Sequence, residues 1–278
     1  MIDVSLLDLR TATDARLAAA LAAGAGERLL DLRQRMGAGA FDEAELRRAG
    51  DRVAQEFIAE RLAALRPDDS VLSEEAADDR TRLEASRVWI VDPLDGTREF
   101  SERNADGSWR DDFAVHVALW QRGLGLTDGA VALPARDRTY ASDLPTAPTD
   151  PGTEAVVAGR RTIRIAASRT RPPAIVGDLA DAGQAELVPM GSCGVKAIAV
   201  LEGEADAYVH AGGQFEWDSA APVAVVTSAG LVATRLDGSP LEYNRPDASL
   251  PDLVICRPDL IELLRNLLGG IRPERATA

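Results

Sequence analysis

Residues 88–97 read Val-Trp-Ile-Val-Asp-Pro-Leu-Asp-Gly-Thr. Four apolar residues run straight into two aspartates, Asp92 and Asp95. Pro93 fixes the backbone between them, and Gly96 permits a sharp turn before Thr97. The apolar run reads as a short buried strand, Val88–Val91, that ends in carboxylates with no lysine or arginine beside them. Such a group needs a cation, and oxygen ligands select hard metals such as Mg²⁺. Asp111 and Asp112 read by comparison as solvated neighbours. Working outward, two more acidic features can join the pair. Upstream stands Glu74-Glu75 in "LSEEA"; downstream stands Asp218 in "EWDSAAP" at a predicted helix start. Each alone has a plain explanation, a solvated pair and a helix cap.

The surrounding pattern is mixed at first and then alternates. Residues 13–36 carry Leu17, Leu21, Leu29 and Leu32 near one helical face. Asp51 precedes a second amphipathic run ending at Pro67, where it can act as N-cap. "FAVHVALW", 113–120, is a strand apolar on both faces apart from His116, which reads as a satisfied core histidine. Thr127-Asp-Gly129 reads as a turn in an antiparallel ribbon. Asp143–Thr153, dense in Pro, Thr and Asp, separates two expected halves, 1–152 and 153–278. Beyond it, strands are expected at 162–166, 187–189, 205–210, 231–236 and 253–256. Helices are expected at 191–201, 218–229 and 258–268. That order favours an α/β layer after an α+β first half.

Composition narrows the function. The chain has 278 residues, 46% hydrophobic, and a net charge of −14. That field repels nucleic acid and anionic membranes, and no apolar run reaches the roughly 18–20 residues of a membrane span. The Ala-rich stretch 17–24 follows Asp3, Asp8 and Asp14, not the positive charge of a signal peptide, so a cytoplasmic protein is expected. Cys193 and Cys256 fit neither a disulfide framework nor a zinc spacing. Of the 31 basic residues only Lys196 is a lysine.

The ordered set Asp51, Glu74-Glu75, Asp92–Thr97, Gly191-Ser192 and Trp217-Asp218 resembles the inositol monophosphatase superfamily of Mg²⁺-dependent, lithium-sensitive phosphatases. The segments "SRVWIVDPLDGTREFSERN", "DDFAVHVALW", "GSCGVKAIAVLEGEADAYVHAGGQFEWDSAAP" and "RLDGSPLEYN" are most similar to CysQ-type 3′(2′),5′-bisphosphate nucleotidases. The resemblance implies a layered αβαβα sandwich of the inositol monophosphatase and fructose-1,6-bisphosphatase type. It implies two to three Mg²⁺ ions. Glu74, Asp92 and the Leu94 carbonyl would hold one; Asp92, Asp95 and Asp218 a second; a third would lean on Glu74. Asp51 and Thr97 would orient and deprotonate the attacking water. Gly96, Thr97, Gly191 and Ser192 would meet a phosphate through N–H groups at helix starts. Lys196 and Arg169 would contact a second phosphate, with Ser168 lining the nucleotide pocket. Many relatives carry a lysine in the mobile segment before the catalytic Asp; Gly37–Ala49 has none.

The implied activity is hydrolysis of adenosine 3′,5′-bisphosphate (PAP) to AMP and phosphate, with its sulfated precursor PAPS as a second substrate and a homodimer as the expected assembly. An inositol or other sugar phosphatase is the alternative, since the metal ligands do not separate the two. A catalytically silent PAP sensor is the third reading, disfavoured by the presence of both Asp51 and Thr97. His210 is expected to be structural or to touch substrate.

Overall fold

The computed structural model describes residues 9–269; the outermost ends of the two expected halves lie outside them. Two long helices open the chain. α1 (Asp14–Met36) is capped by Thr13, whose hydroxyl accepts from Arg16 N. α2 (Glu43–Leu65) is capped by Asp42, whose carboxylate accepts from Ala44 N and Glu45 N. Asp51 is therefore not an N-cap. It lies two turns inside α2, because Asp42 supplies the earlier start signal.

Five strands follow as one sheet in the order β1-β2-β3-β4-β5: β1 (Ser70–Ser73), β2 (Arg87–Asp95), β3 (Ala114–Gln121), β4 (Gly125–Leu133) and β5 (Arg138–Ala141). β1 runs parallel to β2, and the other pairs are antiparallel. Side chains alternate across this sheet. Trp89, Val91, Val115 and Val117 pack under α1 and α2 with Leu17, Leu21, Leu29, Ile58 and Leu62. Val88, Ile90, Ala114 and Ala118 face the opposite way, into a second core. Asp92 and His116 share that second parity and are partners in the β2–β3 register. The expected turn at 127–129 is instead strand β4. Gly129 is there because α7 presses on it: a Cβ at 129 would lie 2.7 Å from Ala224 Cβ.

The second sheet has the order β7-β6-β8-β10-β9, built from β6 (Ile163–Ser168), β7 (Ala185–Met190), β8 (Ala207–Phe215), β9 (Val232–Thr234) and β10 (Ser249–Cys256). β6 is parallel to β7 and β8; β10 is antiparallel to β8 and β9. Between the sheets lie α6 (Cys193–Leu201) and α7 (Glu216–Ser228). Val195, Ile198, Ala220 and Val225 fill the core they share with both sheets. The short α3 (Thr97–Ser101) follows β2. α4 (Thr153–Val157), α5 (Ala174–Asp181) and α8 (Ile261–Gly269) cover the outer face of the second sheet, with Val156, Val176, Leu179 and Leu264 against Ile165, Val209 and Val254. The result is five layers, helix–sheet–helix–sheet–helix. The end of β2 and the starts of α6 and α7 converge in the middle layer. Among the described residues no helix is long and apolar enough to cross a membrane.

Candidate active site

The first carboxylate is set by the strand. Asp92 is 1% exposed, and its Oδ1 accepts from Leu94 N at 3.1 Å. Burial holds its carboxyl well above the usual range, and the charges of Asp95, Glu74 and Asp218 add to the effect. Those three residues come from separate parts of the chain, yet the charge of each is felt at Asp92, and Glu74 hydrogen-bonds to it. Asp218 is pushed up to about 7, by burial and then by Asp95; its Oδ2 accepts from Phe215 N at 2.7 Å. Glu74 lies in an exposed turn, but its carboxyl reaches Asp92 and is likewise pushed up to about 7, by burial and by Asp95. Among the described residues none of the four pairs with an arginine or lysine. Four oxygen donors with no organic counter-charge suit hard divalent cations, and the residues present fit Mg²⁺.

Asp95 divides its work. Its Oδ2 accepts from Ser192 Oγ at 2.6 Å, from Cys193 N, and from Gly194 N at 3.2 Å. One carboxylate oxygen thus caps α6. His116, fully buried, stands 3.4 Å from the same oxygen through Nε2, while its Nδ1 is 3.3 Å from the Trp217 carbonyl. Ligand atoms of Asp92, Asp95 and His116 all lie within 4.8 Å of one another. His116 is consequently part of the site's wall and not a remote core residue. The sequence signal was its parity with Asp92 on adjoining strands.

Asp51 is brought over the site by Gly50, where a Cβ would meet Phe100 at 2.7 Å and Leu94 Cδ2 at 2.9 Å. This close approach seats α2 on the "DPLDGT" turn. The Asp51 carboxyl is pushed up to about 7, by burial and then by Glu75 and Glu74. Thr97 Oγ1 donates to the Leu94 carbonyl at 3.1 Å. Gly96 takes φ +88°, a left-handed value that glycine adopts without strain.

The substrate contacts expected on the second half are differently employed. Gly191 N donates to Asp112 Oδ2 at 2.7 Å, and Ser192 Oγ donates to Asp95 and accepts from Val195 N at the start of α6. Asp112 is 4% exposed and also takes Arg110 Nη2; it is a structural anchor, not a solvated neighbour. Lys196 is 6% exposed, and its Nζ donates to the Gly191 and Ser192 carbonyls at 2.8 and 2.6 Å. A lysine suits this place because a compact ammonium can bond two carbonyls of the preceding turn. Arg169 Nη2 binds Glu99 and Glu102 of the α3 region at 2.8 and 2.6 Å, joining the end of β6 to the first half. Ser168 Oγ accepts from Arg171 N in the same turn. His210 Nε2 lies 2.7 Å from the Gly212 carbonyl within β8.

Comparison with known proteins agrees with this architecture. The profile of the inositol monophosphatase family matches residues 11–267. A protein of Mycobacterium leprae (strain TN), named 3′-phosphoadenosine 5′-phosphate phosphatase, is 54% identical over 271 residues, covering 94% of each chain. The 3′(2′),5′-bisphosphate nucleotidase CysQ of Escherichia coli (strain K12) is 32% identical over 214 residues, covering 73% of this chain and 81% of its own. The crystal structure of CysQ from Bacteroides thetaiotaomicron superposes with a TM-score of 0.69 at 27% identity, covering 88% of this chain and 97% of that one. With the layered fold and the convergent carboxylates already in place, these matches establish that the chain belongs to the inositol monophosphatase family.

Proposed function

We propose that this protein is a Mg²⁺-dependent phosphatase that hydrolyses the 3′-phosphate of adenosine 3′,5′-bisphosphate to AMP and phosphate, working in the cytoplasm. The observation that carries the substrate is the 54% identity, over 94% of both chains, to a protein named for that activity. The convergence of Glu74, Asp92, Asp95 and Asp218 supports the chemistry. Glu74, Asp92 and the Leu94 carbonyl would hold one ion; Asp92, Asp95 and Asp218 would hold another. Bound Mg²⁺ supplies charge neutralisation at the phosphoryl oxygens and acidifies water. Asp51, with a carboxyl at about 7, is a base matched to neutral pH. Thr97 spends its hydroxyl hydrogen on the Leu94 carbonyl, so its oxygen lone pairs are left to accept from water. Water oxygen bonds phosphorus as the ester P–O bond breaks. The water's proton goes to Asp51, and the departing 3′-oxygen is protonated from solvent. No side chain forms a bond to phosphorus.

Arg169, 29% exposed, is the basic side chain we assign to the second phosphate, which would share it with Glu99 and Glu102. The buried Lys196 instead shapes the α6 loop. The test is phosphate release from PAP, PAPS, inositol 1-phosphate and fructose 1,6-bisphosphate with Mg²⁺, with and without lithium. PAP turned over fastest, with inhibition by lithium, is the expected result. Preference for inositol 1-phosphate would move the assignment to the sugar phosphatases. Tight PAP binding without turnover would make the chain a sensor.

A further inference from the structure

Three buried polar side chains lie outside the carboxylate cluster and take no part in the proposed chemistry. Arg82 and Glu216 are each 1% exposed and Asn244 is 8% exposed. Arg82 Nη1 donates to Asn244 Oδ1 at 2.6 Å and Nη2 to the Arg245 carbonyl at 3.0 Å. Its Nε and Nη2 also hold Asp78 in a fork. From the other side Glu216 accepts from Asn244 N at 2.6 Å and Arg245 N at 2.7 Å. Asn244 sits at φ +58°, a conformation asparagine tolerates better than most residues. Arg80 Nη1 adds a bond to the Pro246 carbonyl, and Ser219 Oγ lies 3.1 Å from Tyr243 Oη.

The two ends of this network are informative. Asp78 lies in the exposed segment that begins at Glu74, and Arg82 in the 3-10 turn Arg80–Leu83 that follows it. Glu216 opens α7, two residues before Asp218. The loop between β9 and β10 is therefore bolted to both acidic motifs. Its fixation in the fold is already served by Tyr243 and Leu241, which pack into or against the core between the sheets. Burying a guanidinium and a carboxylate is costly unless both are fully bonded, and here they are bonded through one residue pair.

We propose that Arg82, Asn244 and Glu216 are positioning residues that keep the Glu74 turn and the Asp218 helix start at a fixed separation, with the 244–245 pair as spacer. The inference rests on the metal reading of the site. Without a cation the carboxylates repel one another, and the turn and the helix start would otherwise drift apart. A rigid spacer spares the reorganisation that cation binding would require.

The cleanest probe is Asn244→Gly in the full-length protein. It removes the bridge to Arg82, keeps both N–H bonds to Glu216 and suits the left-handed backbone. Mg²⁺ affinity, read by calorimetry, should weaken roughly 10–100-fold, the range for outer partners of a metal site. Asn244→Asp, which retains an acceptor for Arg82, should remain within a few-fold of wild type. Asp252→Asn breaks the nearby Arg235–Asp252 pair and should lower the melting temperature without changing Mg²⁺ affinity. Equal Mg²⁺ affinity in wild type and Asn244→Gly, or an equal loss in Asp252→Asn, overturns the spacer. A wild-type chain that binds no Mg²⁺ overturns the metal reading and the spacer with it. Should Asn244→Gly not fold, amide exchange in wild type decides the matter. Saturating Mg²⁺ should slow the Asn244 and Arg245 amides at least about tenfold, because opening the clamp would cost metal affinity. Unchanged exchange overturns the proposal.

Discussion

Replacing Asp218 by Asn should stabilise the metal-free protein while weakening its response to Mg²⁺. In the folded chain the Asp218 carboxyl stands at about 7 against an ordinary 3.8, through burial and then the charge of Asp95. The sign follows from linkage. A folded value above the unfolded one means that the associated stability is fully present below about pH 4. It is lost as pH rises through about 7, where the group must ionise beside its neighbours. At 1.36 kcal/mol for each tenfold in proton affinity, the cost at neutral pH is on the order of 4 kcal/mol; partial exposure reduces it to about 2–4 kcal/mol. Asparagine carries no charge, and its Oδ1 can still accept from Phe215 N. Melting in EDTA at about pH 7.5 should therefore rise by roughly 5–15 °C in the variant. The gain should shrink to below about 2 kcal/mol at about pH 5, where wild type is largely protonated. With saturating Mg²⁺ the order should reverse, because wild type gains binding energy that the variant gains only in part. The assay is a pair of melting series against pH, with chelator and with Mg²⁺. A variant less stable than wild type in EDTA at neutral pH, or a gain independent of pH, would refute the repulsion argument.

Three further outcomes can be checked directly. Lys196→Met leaves the Gly191 and Ser192 carbonyls without their buried donor, at about 1–3 kcal/mol; turnover of PAP and of a monophosphate should fall by the same factor, and a loss confined to PAP would return Lys196 to the second phosphate. Gly194→Ala would put a Cβ 2.2 Å from His116 Nε2, so the ring must move; about 1–3 kcal/mol of stability should be lost, with Mg²⁺ affinity falling alongside, and an unperturbed variant would deny His116 its place against Asp95. In wild type kcat/KM should climb as pH rises through about 7, when the Asp51 carboxyl becomes a competent base; Asp51→Asn should remove that limb and about 10²–10⁴-fold of the rate, and a retained limb would assign the proton to another group.

Much of the site was legible because it is local. The "DPLDGT" turn holds two carboxylates within four residues, and an apolar run leading into it can only be a buried strand. The αβαβα layering followed from the resemblance carried by the same motif. The boundaries were less legible. Asp42 and Asp51 are both acceptable caps, and only packing decides between them: Gly50 must lie in helical register against Phe100 and Leu94. Gly129 reads as a turn residue, but its reason is the close approach of Ala224 from a helix some 90 positions later.

The residues expected to contact substrate are already engaged within the fold. Gly191, Ser192 and Lys196 have the equipment of an anion site: a glycine, a hydroxyl and an ammonium at a helix start. The fold already supplies the anion. Asp95 Oδ2 takes the Ser192 hydroxyl and two helix N–H groups, and Asp112 takes Gly191 N. Lys196 then turns back to the carbonyls of the same loop. A sequence shows which groups could bind a phosphate. It does not show that two carboxylates from the first half have claimed them. The consequence for catalysis is that α6 helps to orient Asp95: three donors and His116 surround one carboxylate oxygen, leaving Oδ1 as the less encumbered oxygen for a cation.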